Sequence, residues 1–170
     1  MIVLGIDPGI ATTGFGVVRE NPDGQLIVLA YGTLETPKTD ALPTRLLSLR
    51  QQLIALNETW RPTEAAVEAL FFATNLKTAM TVGQARGVVL VTLHEAGLQI
   101  GEYTPLQVKQ AITGYGQASK RQMQIMVQTL LALETMPKPD DAADALAIAI
   151  THIHSTHYNH LGVDHTDTIP

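Results

Sequence analysis

The chain has 170 residues, a net charge of −5, 45% hydrophobic and 16% charged residues, and no cysteine. That length fits one domain with a real core and leaves no room for a second, and the missing cysteines exclude disulfides and cysteine-based zinc sites. The start Met-Ile-Val-Leu-Gly-Ile-Asp lacks a basic region and meets an acid too early for a signal peptide, and no apolar run approaches membrane-spanning length. The expectation is a soluble, cytoplasmic protein with no membrane partner.

Net acidity argues superficially against a nucleic-acid partner, but the charge is unevenly placed. From Ala69 to Lys138 six cations (Lys77, Arg86, Lys109, Lys120, Arg121 and Lys138) face three acids, Glu95, Glu102 and Glu134. A basic middle is compatible with a phosphate polymer.

In chain order, Ile2–Asp7 is a continuous apolar run stopped by Pro8-Gly9 and reads as a strand buried on both faces. Phe15–Arg19 reads as a second strand. Asn21-Pro22-Asp23-Gly24 turns the chain into a third, Gln25–Tyr31, and the short connections predict an antiparallel meander. Thr44–Thr59 carries leucines at helical spacing behind Pro43. Strand four is placed at Glu64–Leu70 and a long helix at Asn75–Gly97, where Gly83 and Gly87 weaken the helix but permit close approach of another backbone. Gln99–Tyr103 gives a fifth strand, and Thr104-Pro105 opens a helix through Ile112. Ser119-Lys-Arg-Gln122 has capping-box spacing for a helix to Leu133. Pro137-Lys138-Pro139 forces a break before a last helix from Asp140 to about His154. The polar tail 155–170 is expected to be poorly ordered. The pattern predicts an α/β domain over residues 1–154, a five-stranded mixed sheet flanked by helices on both faces.

Four carboxylates are out of place. Asp7 ends the first apolar strand, Glu68 lies within Ala65–Leu70, and Asp141 and Asp144 share one face of the nearly all-apolar last helix at i, i+3. A lone buried charge costs several kcal/mol unless paired or metal-bound, and the sequence shows few cations nearby. Convergence on divalent cations answers all four cases. An all-carboxylate set suits Mg²⁺ or Mn²⁺, and two such ions about 4 Å apart activate a water and stabilise the leaving oxygen in phosphodiester hydrolysis. Taken singly, Asp7 also reads as a turn residue, Glu68 as a surface acid, and Asp140 or Asp141 as a helix cap.

Gly5-Ile6-Asp7-Pro8-Gly9, Val67-Glu68, Gly83-Gln84-Ala85-Arg86-Gly87, Gln107-Val108-Lys109-Gln110 and Asp141 to His152 together resemble the RuvC Holliday junction resolvases, in order from Ile2 to His154. The resemblance implies a ribonuclease H-like fold and a homodimer. It further implies two Mg²⁺ per active site, with Mn²⁺ as a substitute, and paired nicks at a four-way DNA junction. It makes Asp7, Glu68, Asp141 and Asp144 the catalytic and metal-binding acids. Lys109 and Lys120 become contacts near the cleaved strand, against the alternative of solvated surface charge. Phe71 becomes an aromatic wedge, with Phe72 as the competing choice and core packing as the alternative for either. It also implies helicase or motor partners in branch migration. The tail departs from the family pattern: it carries Asp164, Asp167 and several histidines, with no Lys or Arg. His152, His154, His157 and His160 read better as a helix end fraying into that tail than as a zinc site. Two rivals stand beside this reading: a phosphate-handling ATPase of the actin-like class, which needs a longer two-domain chain, and an inactive module that only holds branched nucleic acid.

Overall fold

The computed structural model describes residues 1–69 and 76–160. Its centre is strand β1 (Ile2–Asp7), which pairs antiparallel with β2 (Thr12–Glu20) on one side and parallel with β4 (Glu64–Glu68) on the other. Strand β3 (Leu26–Glu35) extends the meander beyond β2, and β5 (Gln99–Tyr103) runs parallel to β4, giving the order β3-β2-β1-β4-β5. The meander expected from the short turns and the mixed sheet are both present. The turn itself closes with Gly24, at φ +84°, donating to the Asn21 carbonyl.

Helices α1 (Leu42–Trp60) and α2 (Leu76–Glu95) cover one face of the sheet, with Leu4, Ile6, Val17, Leu49, Leu53, Val89 and Leu93 buried between the layers. The other face carries α3 (Pro105–Thr113), α4 (Lys120–Leu130) and α5 (Asp140–His160) over Val3, Val18 and Ala66. Alternation along β1 and β4 divides the apolar residues between these cores, as a strand covered on both sides requires. Ile148, Ile150 and Ile153 of α5 are almost wholly buried. Truncating any one to alanine costs about 2–5 kcal/mol.

Several boundaries differ from the sequence reading. β2 begins at Thr12 and β3 runs on to Glu35, because the Thr12 to Glu35 pair closes a ladder that takes in Gly14 and Gly32, glycines left outside the predicted strands. Both α3 and α4 open on capping boxes: Thr104 accepts from the Gln107 amide and Ser119 from the Gln122 amide, and each glutamine bonds back to the cap. α4 stops at Leu130, short of the expected Leu133.

The largest correction concerns α5, which continues to His160 rather than ending near His154. His152 and His157 have partners in the body of the fold. His152 is buried with Nε2 2.7 Å from Glu64 Oε2 and Nδ1 2.8 Å from the Tyr103 hydroxyl. His157 Nε2 lies 2.5 Å from Glu20 Oε1. Each bond pins a turn that the sequence alone read as fraying.

Candidate active site

Because β1 and β4 are parallel with Ile6 opposite Val67, their last residues, Asp7 and Glu68, emerge side by side at the same end of the sheet. Asp141 and Asp144 approach from the first turns of α5. What lets the helix come so close is glycine. A Cβ on Gly14, the register partner of Asp7, would stand 2.0 Å from the Asp141 carbonyl oxygen, and one on Gly5 would stand 2.2 Å from that of Ala145. The first turns of α5 thus rest on bare strand backbone. By contrast, a Cβ on Gly87 would meet nothing within 4 Å among the described residues.

The segment after Asp7 is tied down. Thr13 Oγ1 donates to the Gly9 carbonyl at 2.6 Å and accepts from the Gly9 amide at 3.3 Å. Arg45, from α1, donates to the Ile10 carbonyl at 3.0 Å and to the Thr36 hydroxyl at 3.1 Å, and Thr36 in turn donates to Ile10. On the other strand, Arg86 Nε of α2 donates to the Glu68 carbonyl at 3.2 Å while its guanidinium pairs with Glu102.

The electrostatics are those of crowded acids. The side chains of Asp7 and Glu68 lie within hydrogen-bonding reach of each other. Burial, then the charges of Glu68, Asp144 and Asp141, push the Asp7 carboxyl up to about 8. Glu68 is raised by burial and by Asp144, against the lowering effect of the Asp7 hydrogen bond. Burial also raises Asp144, although Lys120 opposes it. Asp7 is within electrostatic reach of the other three acids.

The expectation of few nearby cations is corrected here. Lys120 Nζ lies 3.4 Å from Asp144 Oδ2 and 3.1 Å from Asp140 Oδ2. Its ammonium is held above its ordinary value; burial lowers it, and Asp140 and Asp144 outweigh that. Asp140 is the first residue of α5, and its other oxygen accepts from Gln124 at 2.9 Å. Lys109 and Lys120 line one cleft of about 250 Å³ together with Glu68, Asp144, Pro105 and Met123. Phe71 and the competing Phe72 lie outside the described residues.

Among the described residues, no three His, Cys, Asp or Glu side chains stand in a geometry that could hold a metal ion as placed. The chemistry of the donor set nevertheless fits a hard divalent cation. It is all carboxylate, with the Lys120 ammonium beside Asp144. Among those residues no helix is long and apolar enough to cross a membrane.

Arg45 was missed by sequence reasoning, and Arg86 entered it only as one of the mid-chain cations and within a quoted motif, with no role. Their acceptors are mostly backbone carbonyls distant in the chain, which no side-chain pattern announces.

A family model described as crossover junction endodeoxyribonuclease RuvC matches residues 3–152. The chain is 52% identical over 155 residues to the protein of that name from Syntrophomonas wolfei, covering 91% of this chain and 90% of that one. With the one from Chloroflexus aurantiacus it shares 56% identity, covering 91% and 94%. Among solved structures, Thermus thermophilus RuvC superposes with a TM-score of 0.87 at 37% identity, covering 94% of this chain and 97% of that one. The T. thermophilus RuvC structure in complex with Holliday junction substrate gives 0.85 at 35% identity, covering 93% and 96%. With its mixed sheet, its acids at the ends of β1 and β4 and this extent of likeness, the chain belongs to the RuvC family of crossover junction endodeoxyribonucleases.

Proposed function

We infer that this protein is a structure-selective endonuclease that resolves Holliday junctions in DNA recombination and repair. The observation that carries the reading is one cleft in which Glu68 and Asp144 face Lys109 and Lys120, with Asp7 beside Glu68. Acids at that position suit metal-assisted hydrolysis, and lysines beside them suit a phosphate backbone. The T. thermophilus relative bound to its junction substrate supports the same ligand class.

In this reading Asp7, Glu68, Asp141 and Asp144 hold two Mg²⁺ ions, with Mn²⁺ as a substitute. When bound, such ions supply water activation and stabilisation of the leaving oxygen. The chain's own residues do the rest. Glycine-seated α5 presents Asp141 and Asp144 to the strand ends, and Lys109 and Lys120 orient the phosphates flanking the cut. Phe71 is proposed as the wedge at the branch point. The unit that carries the chemistry is proposed as residues 1–154, with cut ends bearing 5′-phosphate and 3′-hydroxyl.

A homodimer completes the proposal. Met80, Gln84, Gly87 and Val91 form one exposed stripe along α2, with Met80 70% and Val91 57% accessible. A two-fold enzyme on a nearly two-fold substrate explains paired nicks. Branch-migration motors are proposed as further partners, and the cytoplasm as the compartment.

The test is metal-dependent cleavage of a synthetic four-way junction beside a linear duplex of the same sequence. Cutting of the junction alone is expected. Equal cutting of both would reduce the protein to a general nuclease, and binding without cutting would favour the inactive module.

A further inference from the structure

We propose that Arg86 is a positioning residue that couples helix α2 to the acid at the end of β4. The proposal rests on the reading of Glu68 as a site residue. Glu68 is the last residue of its strand, so its backbone is held less by the sheet than that of Val67 before it. The ladder continues only as the Ala69 amide donating to the Tyr103 carbonyl at 2.8 Å. The Glu68 carbonyl points instead to α2, where Arg86 Nε donates to it at 3.2 Å. The guanidinium is held from its other side by Glu102, the β5 residue paired in register with Val67. One planar side chain thus spans α2, β4 and β5 within a residue of the site.

The exposures indicate what the contact is for. The Arg86 side chain is 17% accessible and its partner Glu102 is 50% accessible. An ion pair with one member in solvent adds little to global stability, whereas a charge-assisted bond to a carbonyl fixes a local dihedral. Arg86 follows buried Ala85 and precedes exposed Gly87, which belongs to the exposed stripe of α2. Whatever seats that stripe also sets where the guanidinium stands, and through it the Glu68 backbone.

The experiment compares Arg86→Met, Arg86→Lys and Glu102→Gln in the full chain. The readouts are single-turnover junction cleavage, junction affinity in Ca²⁺, Mn²⁺ binding by calorimetry, and thermal midpoint. Arg86→Met is expected to slow cleavage tenfold or more and to weaken Mn²⁺ binding by a similar factor, with junction affinity unchanged within about twofold. Arg86→Lys recovers part of both losses, since an ammonium still reaches one acceptor, and Glu102→Gln loses two- to threefold. Equal defects in Arg86→Met and Arg86→Lys would overturn the proposal. So would a loss of junction affinity with cleavage intact, which would make Arg86 a DNA contact. If Arg86→Met does not fold, the graded pair Arg86→Lys and Glu102→Gln decides alone. Wild-type protein that binds no Mn²⁺ would instead sink the reading of the site itself, a separate result.

Discussion

Strand β4 carries a glutamate at each end, and the two have opposite fates. At its start, Glu64 meets His152 at 2.7 Å, and that imidazole is engaged in turn by Tyr103. At its end, Glu68 meets Asp7, with Asp144 and Asp141 nearby, and both Glu68 and Asp7 are pushed toward their neutral forms. Helix α5 repeats the contrast, with acids crowded at its N-terminal end and histidines matched to acids further along. One end of the layer is satisfied by its own side chains. The other is left short of positive charge, which is the condition a site for external cations and phosphates requires.

The comparison breaks most sharply at Asp7. Asp7→Asn is expected to lower junction cleavage by a factor of 10³ or more while junction binding in Ca²⁺ persists, read by single-turnover gels beside a binding assay. Loss of binding with intact chemistry would contradict the assignment. Next comes Lys120→Met, for which a loss of about ten- to a hundredfold in cleavage is expected, with weaker junction affinity that becomes less salt-dependent. A salt slope equal to wild type would return Lys120 to the role of a counter-ion for Asp140 and Asp144.

The pH dependence of stability sharpens the same contrast. The Asp7 carboxyl ordinarily ionises near 3.8 and in the fold is raised to about 8, with Glu68 and Asp144 shifted in the same direction. Between these values the folded state keeps protons that the unfolded chain has released. Stability in EDTA therefore falls as pH rises from about 4 toward 8. The thermal midpoint should drop across that range, Mg²⁺ should restore it most at pH 8, and Asp7→Asn should flatten the profile. A flat wild-type profile would show that the acids are not crowded. The smallest effect belongs to the satisfied end. His152→Ala is expected to cost about 1–3 kcal/mol, from a partly buried carboxylate and hydroxyl losing their buried partner, with the cleavage rate per folded molecule unchanged.

Much of this was legible in residue order. Acids embedded in Ile2–Asp7, Ala65–Leu70 and Asp141–Ile150 violate the apolar pattern around them, so the site announced itself as a set of local inconsistencies. The capping box at Ser119 and Gln122 was equally readable, because its partners are three residues apart. What could not be read depends on partners that only folding supplies. That Gly5 and Gly14 leave room for a helix is seen only once α5 is laid over them. His152 and His157 look like a fraying end because Glu64 and Glu20 are 88 and 137 residues away. The glycines of α2 were read as permitting close approach of another backbone, and a Cβ on Gly87 would meet nothing within 4 Å among the described residues of this chain.

With Thr13 gripping Gly9, and Arg45 and Thr36 both anchored on Ile10, the floor beneath the acids has little freedom to mould itself around an incoming strand. Geometry must then be supplied by the nucleic acid. An unbroken double helix would have to deform to reach such an anvil, at a penalty that grows with its stiffness. A crossover, whose strands already part and turn, arrives bent. Discrimination between the two can arise from this unyielding surface without any side chain reading a base.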